Sequence, residues 1–200
     1  MLPSARNRLI RVVENGTVFR ARDLDDHRIP RAYLARMVRE GALRRLGRGL
    51  YIGSNANLSE HHELAEAAKR VPHAVICLLS ALQFHRLTTQ APREVWIAIG
   101  QKARRARVER PRLRIAHFSG QALSAGVEEH EIEGVRVPIY GPAKTVADCF
   151  KFRNKIGIDV ALEALRDYRR TRKGTSDELW RFAKICRVAN VMRPYLEAIE

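Results

Sequence analysis

In the stretch RIPRAYLARMVREGALRRLGRGLYI, Arg28–Ile52, apolar residues recur at helical spacing. At 100° per residue, Ile29, Tyr33, Leu34, Met37 and Val38 fall on one side. Arg31, Ala32, Ala35, Arg36 and Arg39 fall on the other. The spacing predicts a helix with Pro30 at its first position, ending at Glu40, with Gly41 as the terminator. "ALRRL" and "LYI" around "GRG" then predict a β-hairpin. Upstream, Ser4 is a candidate cap for a helix bearing Leu9, Ile10, Val12 and Val13, which Gly16 breaks. "TVF", Thr17–Phe19, predicts a short strand, and "ARDLDDHR" a short helix with Leu24 turned inward. Helix, strand, helix, turn, helix and two-stranded wing is the order of a winged helix-turn-helix.

"GSNANLSE", Gly53–Glu60, is polar and rich in Gly, Asn and Ser, so it marks a boundary. The expected fold class is therefore α+β: a winged helix-turn-helix over 1–53, then a mixed α/β domain over 58–200. In the second part, "LSEHHELAEAAKRV" predicts a helix capped by Ser59. "AVICLLSALQFHRLT" predicts a buried helix with Leu78, Leu79, Leu82 and Phe84 as core, and His85 hydrogen-bonded near its end. "EVWIAIG" and "LRIAHFS" predict strands. "VEEHEIEGVRVPIYG" predicts a hairpin turning at Glu133–Gly134. "GPAKTVADCFKF", with Pro142 near its start, and "GIDVALEALRDYRRT" predict helices. So do "LWRFAKICRV", opened by a Ser176 cap, and "NVMRPYLEAIE".

The charge sharpens the first part. The 200-residue chain carries a formal net charge of +15, with a pI near 10.6, which favours partners covered in phosphate. Residues 1–53 contain 12 Arg, no Lys and 5 acids. Arginine suits bidentate contact with phosphate or guanine. Arg31, Arg36 and Arg39, with the small Ala32 and Ala35 between them, fit a helix seated in a groove. Arg44, Arg45 and Arg48 place charge along the wing. Double-stranded DNA is the partner this pattern points to. A second basic patch, Lys102, Arg104, Arg105 and Arg107, lies in the connection between two strands. It is either a nucleic-acid contact or a solvated loop, because no aromatic interleaves it.

Catalysis has little to build on. There is no nucleotide-binding loop, no GxSxG and no zinc-deaminase pattern. His61 and His62 are adjacent and diverge on a helix. Glu129, Glu131 and Glu133 share a strand face expected to meet solvent. Lys144 and Asp148 stand four apart, a spacing that favours an ion pair. Cys77, Cys149 and Cys186 lack metal spacing and are expected buried and reduced. No catalytic residue, metal or cofactor is expected. The longest apolar run, "AVICLLSAL", is too short to span a bilayer, so no membrane is expected and the chain reads as cytoplasmic.

The segments "GTVFRARDLDDHRIPRAYLARMVREGALRRLGRGLYI", "SALQFHRLTTQ" and "GPAKTVADCFKFRNK" carry a resemblance. The chain resembles the AbiEi-type antitoxins, the transcriptional-regulator half of a type IV toxin–antitoxin pair. The resemblance implies an N-terminal domain that binds inverted repeats upstream of its own operon and represses it. It implies a C-terminal domain that counters a nucleotidyltransferase-like toxin, in general without a stable toxin complex, in systems that work by abortive infection. A second class stays open: a nuclease that a winged helix delivers to DNA, with catalysis in the C-terminal domain. A metal-binding Asp–Glu–Lys cluster would mark it, and none can be assembled from the sequence.

Overall fold

The computed structural model describes residues 9, 17–25, 29–106 and 108–198. The expected cap Ser4, the apolar residues Ile10, Val12 and Val13, the Gly16 break and Arg107 lie outside them, as do residues 26–28 of the expected "ARDLDDHR" helix. The fold is mixed α and β, as the patterning predicts. The chain divides into two compact units. One is Met1–Pro72 with His130–Val137, and the other is His73–Glu129 with Pro138–Glu200.

In the first unit, β1 (Phe19–Arg20), β3 (Leu50–Gly53) and β2 (Leu43–Gly47) form a three-stranded antiparallel sheet with β3 central. A 3-10 turn, Ala21–Leu24, follows β1, and α1 spans Ala32–Arg39. Leu9, Phe19, Leu24, Ile29, Leu34, Met37 and Leu43 make the core. Helix α1 begins two residues after Pro30. Pro30 instead offers its carbonyl to the Tyr33 N–H at 2.9 Å, a tighter turn that leads into the helix. Gly41, at φ +73°, ends it. The Gly41 N–H reaches Val38 O and the Ala42 N–H reaches Met37 O, which satisfies two terminal carbonyls.

Helix α2, His62–Arg70, falls in the first unit although it follows the polar boundary. Its charged residues explain why. Lys69 Nζ donates to Asp23 Oδ2 at 2.6 Å. Arg70 donates to Glu66 at 2.7 Å and to the Leu46 carbonyl at 3.2 Å. The Arg70 guanidinium lies close over Gly47, where a Cβ would have to displace it. The tip of the second hairpin belongs here too. It turns at Glu133–Gly134, as the sequence predicts, and both φ values there are positive. The Glu133 side chain corrects its expected solvent face. It is 7% exposed and takes hydrogen bonds from the Ser59 N–H and hydroxyl, while its other oxygen sits 2.7 Å from His62 Nδ1. As a turn residue it leaves the strand's alternation, so its direction does not follow that of Glu129 and Glu131.

The five-stranded sheet has the order β6-β5-β4-β8-β7. Its strands are β4 (Val75–Ile76), β5 (Val95–Gly100), β6 (Leu113–Phe118), β7 (Val127–Ile132) and β8 (Val135–Tyr140). Strand β5 is antiparallel to β4 and parallel to β6, and β4 is parallel to β8. The expected helix over "AVICLLSALQFHRLT" is corrected. Val75–Ile76 is β4, and α3 spans Leu78–His85, following an extended Cys77 and opening on a Leu78 φ of +47°. A continuous apolar run does not distinguish a buried strand from a buried helix. Phe84 is half-buried rather than core, and His85 is buried with Nε2 2.8 Å from Tyr140 O.

Helix α4 (Gln121–Ser124) leads into β7. The remaining helices are α5 (Pro142–Lys151), α6 (Arg153–Ile156), α7 (Ile158–Arg170), α8 (Ser176–Ile185) and α9 (Ala189–Glu197). Helix α5 is central, with every residue from Ala143 to Phe150 buried and α3, α7, α8 and α9 packed around it. Thr175, not Ser176, caps α8. Its hydroxyl accepts from the Glu178 N–H, and Glu178 accepts from the Thr175 N–H.

Inside this unit Lys144 and Asp148 pair at 2.5 Å with both side chains wholly buried. Cys186 Sγ donates to Asp148 at 3.2 Å, and the Lys144 ammonium lies 3.9 Å from the Tyr140 ring centroid. Burial pushes the Asp148 carboxyl up, against the pull of the Lys144 charge. All three cysteines are free and buried, and burial with the Asp148 charge pushes the Cys186 thiol to about 12. Lys144→Met strands a buried carboxylate and is expected to cost about 3–5 kcal/mol. Adding Asp148→Leu recovers a large part of that loss. Urea unfolding followed by the fluorescence of Trp96 and Trp180, both in this unit, measures the difference.

Candidate nucleic-acid interface

Helix α1 has two turns and two faces. Leu34 and Met37 are 2% and 4% exposed, and Ile29 just before the helix is buried with them. Arg31, Ala32, Ala35, Arg36 and Arg39 are all exposed. The face read from the sequence is therefore the outward face of the helix. Arg31 Nη2 donates to Asp25 at 2.8 Å and Arg36 Nε to Glu40 at 2.7 Å, which raises the pKa of both guanidiniums. These pairs lie in solvent, where such contacts contribute little and exchange readily. Arg39 has no ion-pair partner among the described residues. Sequence reading did not single out Asp25 and Glu40 as partners, although the four-residue spacing of Arg36 and Glu40 was a usable signal.

In the hairpin, Arg44 stands opposite Ile52 and Arg45 opposite Tyr51. Consecutive strand residues project to opposite faces, so Arg44 and Arg45 do not point the same way. A bulge between Arg45 and Gly47 bends the strand, and Arg45 Nε donates to the Gly47 carbonyl at 3.2 Å. Arg48 occupies the exposed tip beside Gly49, which has φ +69°.

The scaffold behind this surface is held by Asp23. Its carboxylate accepts from the Arg20 N–H at 2.9 Å and from Lys69. Burial pushes its pKa up, but the Arg20 N–H, the Lys69 ammonium and the Arg22 charge outweigh that and hold it below the usual value. In the second unit, Lys102, Arg104 and Arg105 are exposed in the connection from β5 to β6. Among the described residues no group of three His, Cys, Asp or Glu side chains is placed to hold a metal ion. No described helix is long and apolar enough to cross a membrane.

Residues 7–52, which include β1, α1 and nearly all of the hairpin, match the family described as transcriptional regulator, AbiEi antitoxin. No curated protein matches the chain. The fold is similar to the crystal structure of the RV2827C protein from Mycobacterium tuberculosis, with a TM-score of 0.57 over 92% of this chain and 72% of that one. At 15% identity the likeness is one of fold.

Asp23→Asn removes the depressed carboxyl. A group whose folded pKa is lowered stabilises above its unfolded value and loses that contribution as pH falls through the folded one. The variant is expected to be less stable by about 1 kcal/mol at neutral pH. The gap should close below about pH 4. Thermal melts of both proteins across pH 2–7, followed by circular dichroism, check the sign and the window.

Proposed function

We propose that this chain is a DNA-binding autorepressor and the antitoxin of a type IV toxin–antitoxin system. The outward face of α1 carries the reading: three arginines and two alanines lie opposite a buried apolar stripe. Seated in the major groove of operator inverted repeats, the alanines allow close approach, and Arg31, Arg36 and Arg39 reach base edges or phosphates. The hairpin serves as the wing, with Arg48 at its tip against the phosphate backbone. The family matched over 7–52, described as transcriptional regulator, AbiEi antitoxin, supports the regulator and antitoxin parts of this reading. The second unit counters a nucleotidyltransferase-like toxin encoded alongside, in an abortive-infection system, and needs no catalytic residue, metal or cofactor to do so. This half of the reading rests on the resemblance of "SALQFHRLTTQ" and "GPAKTVADCFKFRNK". The protein works in the cytoplasm.

Two variants separate the contacts. Arg36→Ala is expected to cost about 1–3 kcal/mol on the upstream region of its own operon and to relax preference at one position. Arg48→Ala is expected to weaken binding to all sequences alike and to lower the salt slope by about one. Gel shifts at several salt concentrations, on that region and on unrelated DNA, measure both. Unchanged affinity in both variants removes the DNA-binding reading.

The two activities are expected to part. Arg36→Ala with Arg39→Ala abolishes repression while the chain, expressed from an unrelated promoter, still rescues cells from the neighbouring toxin. Loss of rescue at equal protein level overturns the division between the two halves.

A further inference from the structure

The second unit holds a pocket of about 620 Å³ at the open edge of its sheet. Glu94, Trp96, Arg105, Arg114 and Lys155 line it, drawn from β5 and the residue before it, β6, α6 and the connection between the strands. Three cations face one carboxylate there. Trp96 stands opposite Arg114 in the parallel ladder, so the two side chains share one face of the sheet. The Arg114 guanidinium lies over the indole, its Cζ 5.4 Å from the ring centroid. Glu94 Oε2, 3.6 Å from Arg114 Nη1, steadies the stack. Trp96 is only 8% exposed, whereas the Arg114 side chain is 56% exposed. The indole therefore backs the guanidinium, and much of the guanidinium stays open to a ligand. Arg105 and Lys155 have no ion-pair partner among the described residues, and the Lys155 ammonium lies 5.6 Å from the Phe152 ring centroid.

We propose that this pocket binds a nucleoside phosphate, its base stacked on the Arg114 guanidinium and its phosphate held by Arg105 and Lys155. A guanidinium plane backed by an aromatic ring is a platform for an unstacked base. Two further cations without carboxylate partners fit a phosphate. Glu94 supplies an acceptor for ribose hydroxyls or an exocyclic amine. The volume lies within the range of small-ligand sites, about 300–1,000 Å³. A duplex keeps its bases stacked and paired and offers none to such a plane. A long single strand needs cations along a track, whereas these converge on one pocket. The site is independent of the DNA-binding reading, because none of its residues belongs to the first unit.

The chain has two tryptophans, so Trp180→Phe leaves Trp96 as the sole indole reporter. The full chain with that change is titrated with AMP, GMP, inorganic phosphate and a short oligothymidylate. Calorimetry on the unaltered chain repeats the comparison. A saturable change in Trp96 fluorescence is expected with either nucleotide below about 1 mM, with phosphate at least about tenfold weaker. Arg105→Ala with Lys155→Ala is expected to weaken the nucleotide about tenfold or more at an unchanged melting temperature. Arg114→Lys keeps the charge but loses the plane, so it should erase the preference for nucleotide over phosphate. The proposal is overturned by phosphate binding as tightly as nucleotide, by unchanged affinity in the double variant, or by no saturation in either assay. Oligothymidylate binding about tenfold more tightly than the nucleotides overturns it in favour of a single-strand site.

Discussion

Arg36 and Arg39 face outward because Leu34 and Met37 face inward, and in a helix of eight residues there is no slack between the two requirements. So short a helix is marginal by itself and exists through the packing of its apolar stripe. The stripe fixes the rotation of α1 about its axis, and the rotation fixes where every arginine points. Gly41 adds the second constraint. Its left-handed backbone stops the helix and turns the chain into β2 within three residues. The arginines of the helix and those of the hairpin are thereby parts of one small framework, built from the same buried side chains.

That framework is braced by charged groups that are partly withdrawn from water. Asp23 joins the turn after β1 to α2 through Lys69, and Arg70 joins α2 to the hairpin through the Leu46 carbonyl. Glu133 gathers Ser59 and His62. Each contact links residues far apart in sequence, between 24 and 74 positions. These are the groups that draw α2 and the second hairpin tip into the first unit. Apolar burial sets what lies inside this unit. The polar contacts set which segments of the chain belong to it.

Local patterns were legible in the sequence and long-range ones were not. The α1 face, its glycine stop, the hairpin and the Glu133–Gly134 turn each depend on a few neighbouring residues, and the sequence showed them. Lys144 and Asp148 showed their pairing by spacing, though not their complete burial. Val75 and Ile76 read as helix because an apolar pair beside "CLLSAL" fits either structure. Only the neighbouring strands β5 and β8 decide for a strand. The pocket was invisible for the same reason. Trp96 and Arg114 lie 18 positions apart and meet only once β5 and β6 pair in parallel. The basic connection itself holds no aromatic, and the sheet supplies one from outside it.

The charge of +15 is not one property. Its parts differ in how easily a phosphate could take them over. At the start of α1 and on it, Arg31 and Arg36 already have acidic partners, yet all four side chains lie in solvent. There a carboxylate exchanges for a phosphate oxygen at little cost, and salt weakens both contacts. Lys144 is the opposite case. Its carboxylate is as deeply buried as itself, so removing either partner leaves a charge without water. The pocket lies between these limits. Arg114 is held on an indole by Glu94 but is still more than half exposed, and Arg105 has no carboxylate partner among the described residues to give up. Exposure therefore sorts the cations by role: exchangeable on the helix, fixed in the core, and oriented yet accessible at the edge of the sheet.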